Sequence, residues 1–309
     1  MESSRPVIVG SRGSPLAMAQ TQDVIRQLNG KYPEVQFNIK KITTQGDVIT
    51  NKPLPKLGGK GLFVKELEVA LINSEIDFAV HSFKDLPTEL TPGLIVGAIT
   101  KRVDPRDALV SKNGETLDDL PPGSTVGTSS PRRASQILAY RPDLEIVDLR
   151  GNLDTRLRKV NTGEVDAAVL AAAGLIRLGL ADKITQLLSP EICLPAVGQG
   201  ALAIEVRQDN LEIADMVKVL NHEATNQAIC AERACLVHLG GGCNVPIGVY
   251  GRVKEGTIIL QGIVACPDGN HVVRSGINGD VNMCEGLGHL LGRRLLALGA
   301  DKILAGELA

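Results

Sequence analysis

Val9-Gly10-Ser11-Arg12-Gly13-Ser14-Pro15 returns later in the chain, one residue shorter, as Val126-Gly127-Thr128-Ser129-Ser130-Pro131. In each copy an apolar run stops at a small polar turn, and a Ser-Pro pair opens a helical pattern. Serine at an N-cap accepts from an amide the helix leaves unpaired, and proline at the first helical position has no N–H to lose there. Each copy also carries arginine: Arg12 just before its helix, Arg132 and Arg133 just inside the other. Two such units predict two similar domains, each offering an anion socket at a helix mouth.

Outward from these copies, short apolar runs alternate with helical patterns over the first two thirds of the chain. Strands are expected at 7–10, 35–42, 77–81, 94–99, 125–127, 144–149, 166–170 and 201–206, with amphipathic segments such as 63–73 and 152–162 between them. This alternation predicts α/β domains with largely parallel sheets. After about residue 222 the order changes to a helix over 223–239, three strand-like runs and a closing helix over 283–298. The expected fold is two similar binding-protein-like α/β domains joined by a hinge, plus a smaller α+β C-terminal domain with a three-stranded antiparallel sheet. Domain 1 takes residues 1–100 and 200–218, domain 2 takes 105–194, and domain 3 takes 222–309. The crossings fall at 101–107 and 194–201, where Gly198 and Gly200 give a hinge room to move. The Gly-, Lys- and Pro-rich stretch 46–61 reads as a mobile basic lid.

Composition excludes several function classes. Among 309 residues the net charge is −2 and aromatics make up 2%, with no Trp. Neither a basic field nor stacking platforms for nucleic acid are available. No apolar run reaches the ~20 residues needed to cross a bilayer. The six cysteines form no C-x-x-C and no metal-ligand spacing with histidine, so no metal is expected. Cys230 and Cys235 read as small buried hydrophobes, and the chain reads as reduced and cytoplasmic.

Arginines recur at strand ends, where open α/β sheets bind ligands: Arg12, Arg132, Arg133 and Arg150, then Arg156 in the following helix and Arg177 after the 166–170 strand. A guanidinium fork matches carboxylate or phosphate. So many sockets imply a ligand with several anionic groups, and the absence of G-x-x-x-x-G-K-[ST] and G-x-G-x-x-G weighs against a nucleotide. Asp85, in Val80-His81-Ser82-Phe83-Lys84-Asp85-Leu86-Pro87, ends another strand on the same rim. There it can accept from ligand N–H groups, oppose positive charge and move protons, or simply cap a helix or pair with Lys84. His81 reads as packed at the strand end. Cys243 stands in Gly240-Gly241-Gly242-Cys243-Asn244-Val245-Pro246-Ile247-Gly248. A thiol behind three glycines is presented on a loop rather than packed on a helix.

These blocks, together with Gly58-Gly59-Lys60-Gly61-Leu62-Phe63-Val64-Lys65-Glu66, Asp104-Pro105-Arg106-Asp107-Ala108, Leu149-Arg150-Gly151-Asn152 and the stretch 194–201, resemble the porphobilinogen deaminase (hydroxymethylbilane synthase) family in order from about residue 7 to 304. Departures are Phe83 where Met is common, Pro131 where Leu is common, and Gly240 where an acid often stands. The resemblance implies a covalent dipyrromethane cofactor in thioether linkage to Cys243 and a catalytic Asp85. It implies cofactor contacts at Lys84, Ser130, Arg132, Arg133 and Arg156. Substrate contacts fall on Arg12, Ser14, Gln20, Arg150 and Arg177, with Lys56, Lys60 and Phe63 in or beside the active-site loop. The implied reaction joins four porphobilinogen molecules with loss of ammonia, followed by hydrolysis, in a cytoplasmic monomer with no nucleic-acid or membrane partner. Two other readings stay open from the residues: a two-domain anion-binding protein of the periplasmic-receptor type, and a cysteine hydrolase pairing Cys243 with His222 or His238.

Overall fold

The computed structural model describes residues 5–48, 61–241 and 245–308. The chain forms two compact units, Met1–Arg102 with Ala201–Glu223, and Val103–Gly200 with Ala224–Ala309. The first contains β1 (Val7–Arg12), α1 (Pro15–Asn29), β2 (Phe37–Ile42), α2 (Gln45–Val48), α3 (Lys65–Ile72), β3 (Phe78–Ser82) and β4 (Leu94–Ile99), and is completed by β10 (Leu202–Arg207) and α7 (Leu211–Lys218). Its sheet order is β2-β1-β3-β10-β4. Helices cover both faces. Val9, Phe78, Val80, Ile204 and Val206 pack with Val24 and Leu28 of α1 and Ile213 and Val217 of α7, while Ala79 lies with Leu67 and Leu71 of α3. Double coverage is why these strands read as continuous apolar runs rather than alternation.

The second unit repeats the plan. Its elements are β5 (Asp107–Ser111), β6 (Thr125–Gly127), α4 (Pro131–Tyr140), β7 (Glu145–Val147), α5 (Leu153–Thr162), β8 (Ala167–Ala171), α6 (Ala172–Arg177) and β9 (Gln186–Leu187). The sheet order β7-β6-β8-β5-β9 matches the first position by position. In each sheet the first two pairings are parallel and the last two antiparallel. Four of the five strands in each sheet therefore run the same way, as expected of largely parallel sheets, and one strand, β10 in the first and β5 in the second, runs against them. β10 joins its sheet only after the chain has built the α/β part of the other unit, and a short apolar run carries no mark of its direction. β5 and β9 were also not foreseen.

The remaining elements are α8 (Glu223–His238), β11 (Ile247–Lys254), β12 (Thr257–Ala265), β13 (Val272–Asp280), α9 (Cys284–Leu295) and α10 (Asp301–Leu304). The three strands form an antiparallel sheet in the order β11-β12-β13. Its apolar face (Val249, Leu260, Val264) packs on Ala231 and Cys235 of α8 and on Leu291 and Leu295 of α9. The two helices touch through Gly288, where an added Cβ would stand 2.3 Å from the Ala231 carbonyl oxygen.

Two cysteines depart from expectation. Cys230 on α8 is disulfide-bonded to Cys284 at the start of α9, with Cα atoms 5.8 Å apart. Neither residue is a plain hydrophobe, and the argument for a wholly reduced chain loses both. The sequence offered no hint, because their 54-residue separation brings them together only through the three-stranded sheet. Cys193, Cys235 and Cys266 are free and buried. Closing a loop of this length should stabilise the unit by about 2–4 kcal/mol. Urea unfolding with and without reductant, and of Cys284→Ser, should show that loss. Identical midpoints in all three would mean the bond does not form in solution.

Candidate functional site

In the first unit the site is built where β1 and β3 end. A small open cleft there is lined by Arg12, Ala17, Gln20, Phe63, Val80, His81, Ser82 and Asp85. Arg12 is the last residue of β1, and Asp85 ends the single turn of 3-10 helix, Phe83–Asp85, that follows β3. β1 and β3 are parallel neighbours, so both side chains reach one rim. Ser14 caps α1 by accepting from the Ala17 amide (3.3 Å), with Pro15 behind it. Gln20, reaching in from α1, donates through Nε2 to the Ser82 hydroxyl at 3.0 Å. His81 is packed as expected: it is buried, its Nε2 3.0 Å from a carboxylate oxygen of the fully buried Glu205. Lys84 sits in the 3-10 turn beside Asp85.

Arg12 is held on two sides. Its guanidinium lies 4.2 Å from the centroid of the Phe63 ring, while Nη2 and Nε donate to the two oxygens of Asp47 at 2.5 and 3.2 Å. Burial pushes the Asp47 carboxyl up, but Arg12 and Thr44 more than offset this and hold it below the usual carboxylate range.

In the second unit, the equivalent turn from β6 into α4 carries Ser130, Arg132 and Arg133. Ser130 occupies the N-cap but makes no side-chain capping bond, so its hydroxyl is not committed to the helix as that of Ser14 is. Arg132 and Arg133 turn inward. Both are buried, and both pair with Asp107, which has no exposure at all. Arg132 Nη1 also donates to the Leu194 carbonyl (2.7 Å) and Arg133 Nη1 to that of Val169 (3.1 Å). Gln199 donates to Asp107 (2.9 Å) and to the Pro105 carbonyl (2.7 Å). Burial alone would raise the Asp107 carboxyl. The two guanidinium charges and the bonds from Arg132 and Gln199 outweigh it and hold the group far below its ordinary value. The Cys193 thiol in the same cluster is pushed up to about 12, chiefly by burial and then by Asp107. With the thiol neutral, two guanidiniums against one carboxylate leave a positive charge in excess at a helix N-terminus, where anions are favoured.

Arg150 follows β7 and donates to Asp148 at 3.1 Å. Arg156 stands in the first turns of α5 and donates to the Gly151 carbonyl at 2.9 Å. Arg177 ends α6 and donates to the Gly200 carbonyl at 2.8 Å. Gly198 and Gly200 both have positive φ (68° and 93°), a shape that favours glycine. Farther along, α8 ends against the start of β11: a Cβ on Gly241 would fall 2.5 Å from the Ile247 side chain. Glu232 on α8 accepts from the amides of Gly198 (2.7 Å) and Gly251 (2.8 Å). The two flanks of the glycine-cysteine loop are thus fixed, while Cys243 itself lies outside the described residues, as do Lys56 and Lys60. The His238 ring packs edge-on against His289, with 5.6 Å between centroids.

The chain matches two family models, the porphobilinogen deaminase dipyrromethane cofactor-binding domain over residues 7–215 and the porphobilinogen deaminase C-terminal domain over residues 226–297. It is 52% identical to a porphobilinogen deaminase of Desulforudis audaxviator over 301 residues, covering 97% of both chains. It is 51% identical to that of Pelotomaculum thermopropionicum (97% of this chain, 96% of the relative) and 53% identical to that of Brevibacillus brevis (96% of each). The chain belongs to the porphobilinogen deaminase family.

Within that family frame, sequence reading missed three acids: Asp107, Asp47 and Glu205. Asp107 closes the 101–107 crossing, and nothing local marks which acid two buried arginines will share. Removing the charge of Asp107 should be costly. Asp107→Asn leaves two buried guanidiniums without a counter-charge and should lose about 3–5 kcal/mol. A carboxyl depressed by folding adds stability above its unfolded value near 4 and loses it as pH falls through the folded value. Denaturant titrations of wild type and Asp107→Asn should therefore differ fully at neutral pH and converge only in strong acid. Equal stability at pH 7 would contradict the pairing.

Proposed function

We propose that the chain condenses four porphobilinogen molecules head to tail, releasing ammonia at each step, onto a dipyrromethane primer, and then releases hydroxymethylbilane by hydrolysis. This makes it a transferase of tetrapyrrole biosynthesis. The observation that carries the reading is the cleft that brings the Asp85 carboxylate and the Arg12 guanidinium together, in a chain that matches the family over nearly its whole length.

The donor set suits a ligand that carries two carboxylates per ring. We assign Ser130, Arg132, Arg133, Arg156 and Lys84 to the cofactor carboxylates. The uncommitted Ser130 hydroxyl and the excess positive charge around Asp107 support that seat. Arg12, Ser14, Gln20, Arg150 and Arg177 are assigned to the incoming substrate, with Phe63 beneath Arg12 and Lys56 and Lys60 beside it in the chain. Cys243 is assigned as the attachment point, in the stretch of chain between α8 and β11. When bound, the cofactor supplies a pyrrole α-carbon as nucleophile. Asp85 accepts from pyrrole N–H groups and opposes the positive charge left on the substrate when its C–N bond breaks and ammonia departs. Asp85 would also take up the proton released in the addition and pass it on. That proton and the departing ammonia balance each addition as one ammonium ion.

We further propose three domains within the two compact units, divided at the two crossings, and a cytoplasmic monomer with no nucleic-acid partner. The net charge of −2 and the scarcity of aromatics support the last point. Among the described residues, no helix is long and apolar enough to cross a membrane.

Intact-mass measurement should show the active protein heavier than its sequence by one dipyrromethane, with Cys243→Ala at its sequence mass. An unmodified, active wild type would remove the attachment. Asp85→Asn keeps size and one acceptor but loses the charge. Cofactor-loaded Asp85→Asn should fold normally and release ammonia roughly 10²–10³-fold more slowly in a single turnover, the loss typical for a preorganised electrostatic group. Release at the wild-type rate would reduce Asp85 to a structural carboxylate.

A further inference from the structure

The cleft holds a carboxylate where a ligand carboxylate is expected. Asp47 takes Arg12 by Nε and Nη2, the side-on edge that a guanidinium offers for two parallel bonds. It is built to do so. Asp47 lies on the single-turn helix α2, and its Oδ2 also accepts from the Thr44 hydroxyl at 2.8 Å and the Thr44 amide at 3.3 Å. Thr44 is itself buried. The turn is pinned from outside as well, since Gly46 donates to the Leu62 carbonyl (3.0 Å) and the Gln45 amide donates to Glu66 (3.0 Å). Gly46 has no side chain, and Phe63 uses the space: a Cβ there would stand 2.2 Å from the ring. The same ring lies against the Arg12 guanidinium. Four residues thus form one module with Arg12 at its centre.

Asp47 and a ligand carboxylate cannot both take that edge. Resting on the reading of Arg12 as a carboxylate-binding residue, we propose that Asp47 is a specificity-determining residue that occupies Arg12 until a substrate carboxylate displaces it. Displacement breaks two charge-assisted bonds to Asp47 and makes their equivalents to the ligand, and Asp47 keeps its bonds to Thr44. A ligand with a neutral group at that position offers no exchange and leaves Arg12 with Asp47. The module therefore selects for charge at one end of the pyrrole. It also holds Arg12 against Asp47 rather than Asp85, which lines the same cleft.

The opposite role is physically reasonable and predicts the opposite sign. If Asp47 merely orients Arg12 and the ligand uses another edge of the guanidinium, losing Asp47 would weaken substrate binding. Asp47→Asn separates the two, because Asn keeps an acceptor for Thr44 and removes the charge that competes. Holoenzyme carrying Asp47→Asn should show a KM for porphobilinogen about three- to tenfold lower than wild type, the range for a partly exposed ion pair near 1 kcal/mol. A KM that is unchanged or raised overturns the proposal.

A second readout does not depend on turnover. Without substrate, an arginine-selective dicarbonyl reagent should modify Arg12 faster in Asp47→Asn than in wild type, as scored by peptide mass. Equal labelling rates also count against the proposal. If Asp47→Asn does not fold, Thr44→Val keeps the carboxylate but removes its anchoring hydroxyl. It should lower KM in the same direction by a smaller factor, and a rise would again overturn the idea. Arg12→Gln tests the underlying assignment. An unchanged KM in that variant removes Arg12 from substrate binding and this proposal with it. A raised KM in Arg12→Gln together with an unchanged one in Asp47→Asn sinks only the proposal.

Discussion

Asp107 is the constraint around which the second unit is organised. A carboxylate with no water in reach is tolerable only if its charge is met on the spot, and Arg132, Arg133 and Gln199 meet it from two different elements. Those partners reach on to the carbonyls of Leu194, Val169 and Pro105. One buried charge therefore ties β5, the start of α4, β8 and both crossing segments. Attraction at short range inside a protein is strong, and so is the cost of leaving any member alone. The cluster fixes the helix mouth where the cofactor seat is assigned.

The two copies of the strand–turn–helix unit reached the same topology with different local chemistry. In the first, Ser14 caps its helix and the arginine before it lies out in a cleft. In the second, Ser130 does not cap and the arginines sink beneath the helix onto an acid. The frame is shared, but the arginine stands before the Ser-Pro pair in one turn and after it in the other, so one guanidinium lines a cleft while two are buried.

The echo between Val9–Pro15 and Val126–Pro131 marked both helix starts because serine and first-turn proline act locally, although only Ser14 caps its helix through the side chain. Arg12, Gln20 and Asp85 line one cleft; Arg12 and Asp85 were readable as strand-end residues, and Gln20 only through the family resemblance. What could not be read was whatever depends on partners far along the chain. The direction of β10, the bond between Cys230 and Cys284, and the sharing of Asp107 by two arginines are all decided by tertiary neighbours. Asp47 was hidden for another reason: its stretch read as irregular lid, and four residues of helix are too few to show a period.

Glycine on and around α9 has a consequence for how the C-terminal part can drift over evolutionary time. Besides Gly288 against α8, Gly292 lies where a Cβ would strike His238, and Gly262 and Gly279 on the sheet admit Leu295 and Leu287. The helix is keyed into its surroundings at four points on two sides. At Gly288 the nearest obstacles include backbone atoms of α8, so a larger residue there would mean moving the helix. At Gly262 and Gly279 they are leucine methyls, which can turn aside. Drift is therefore most restricted at Gly288, while the sheet positions can exchange volume with the leucines they face.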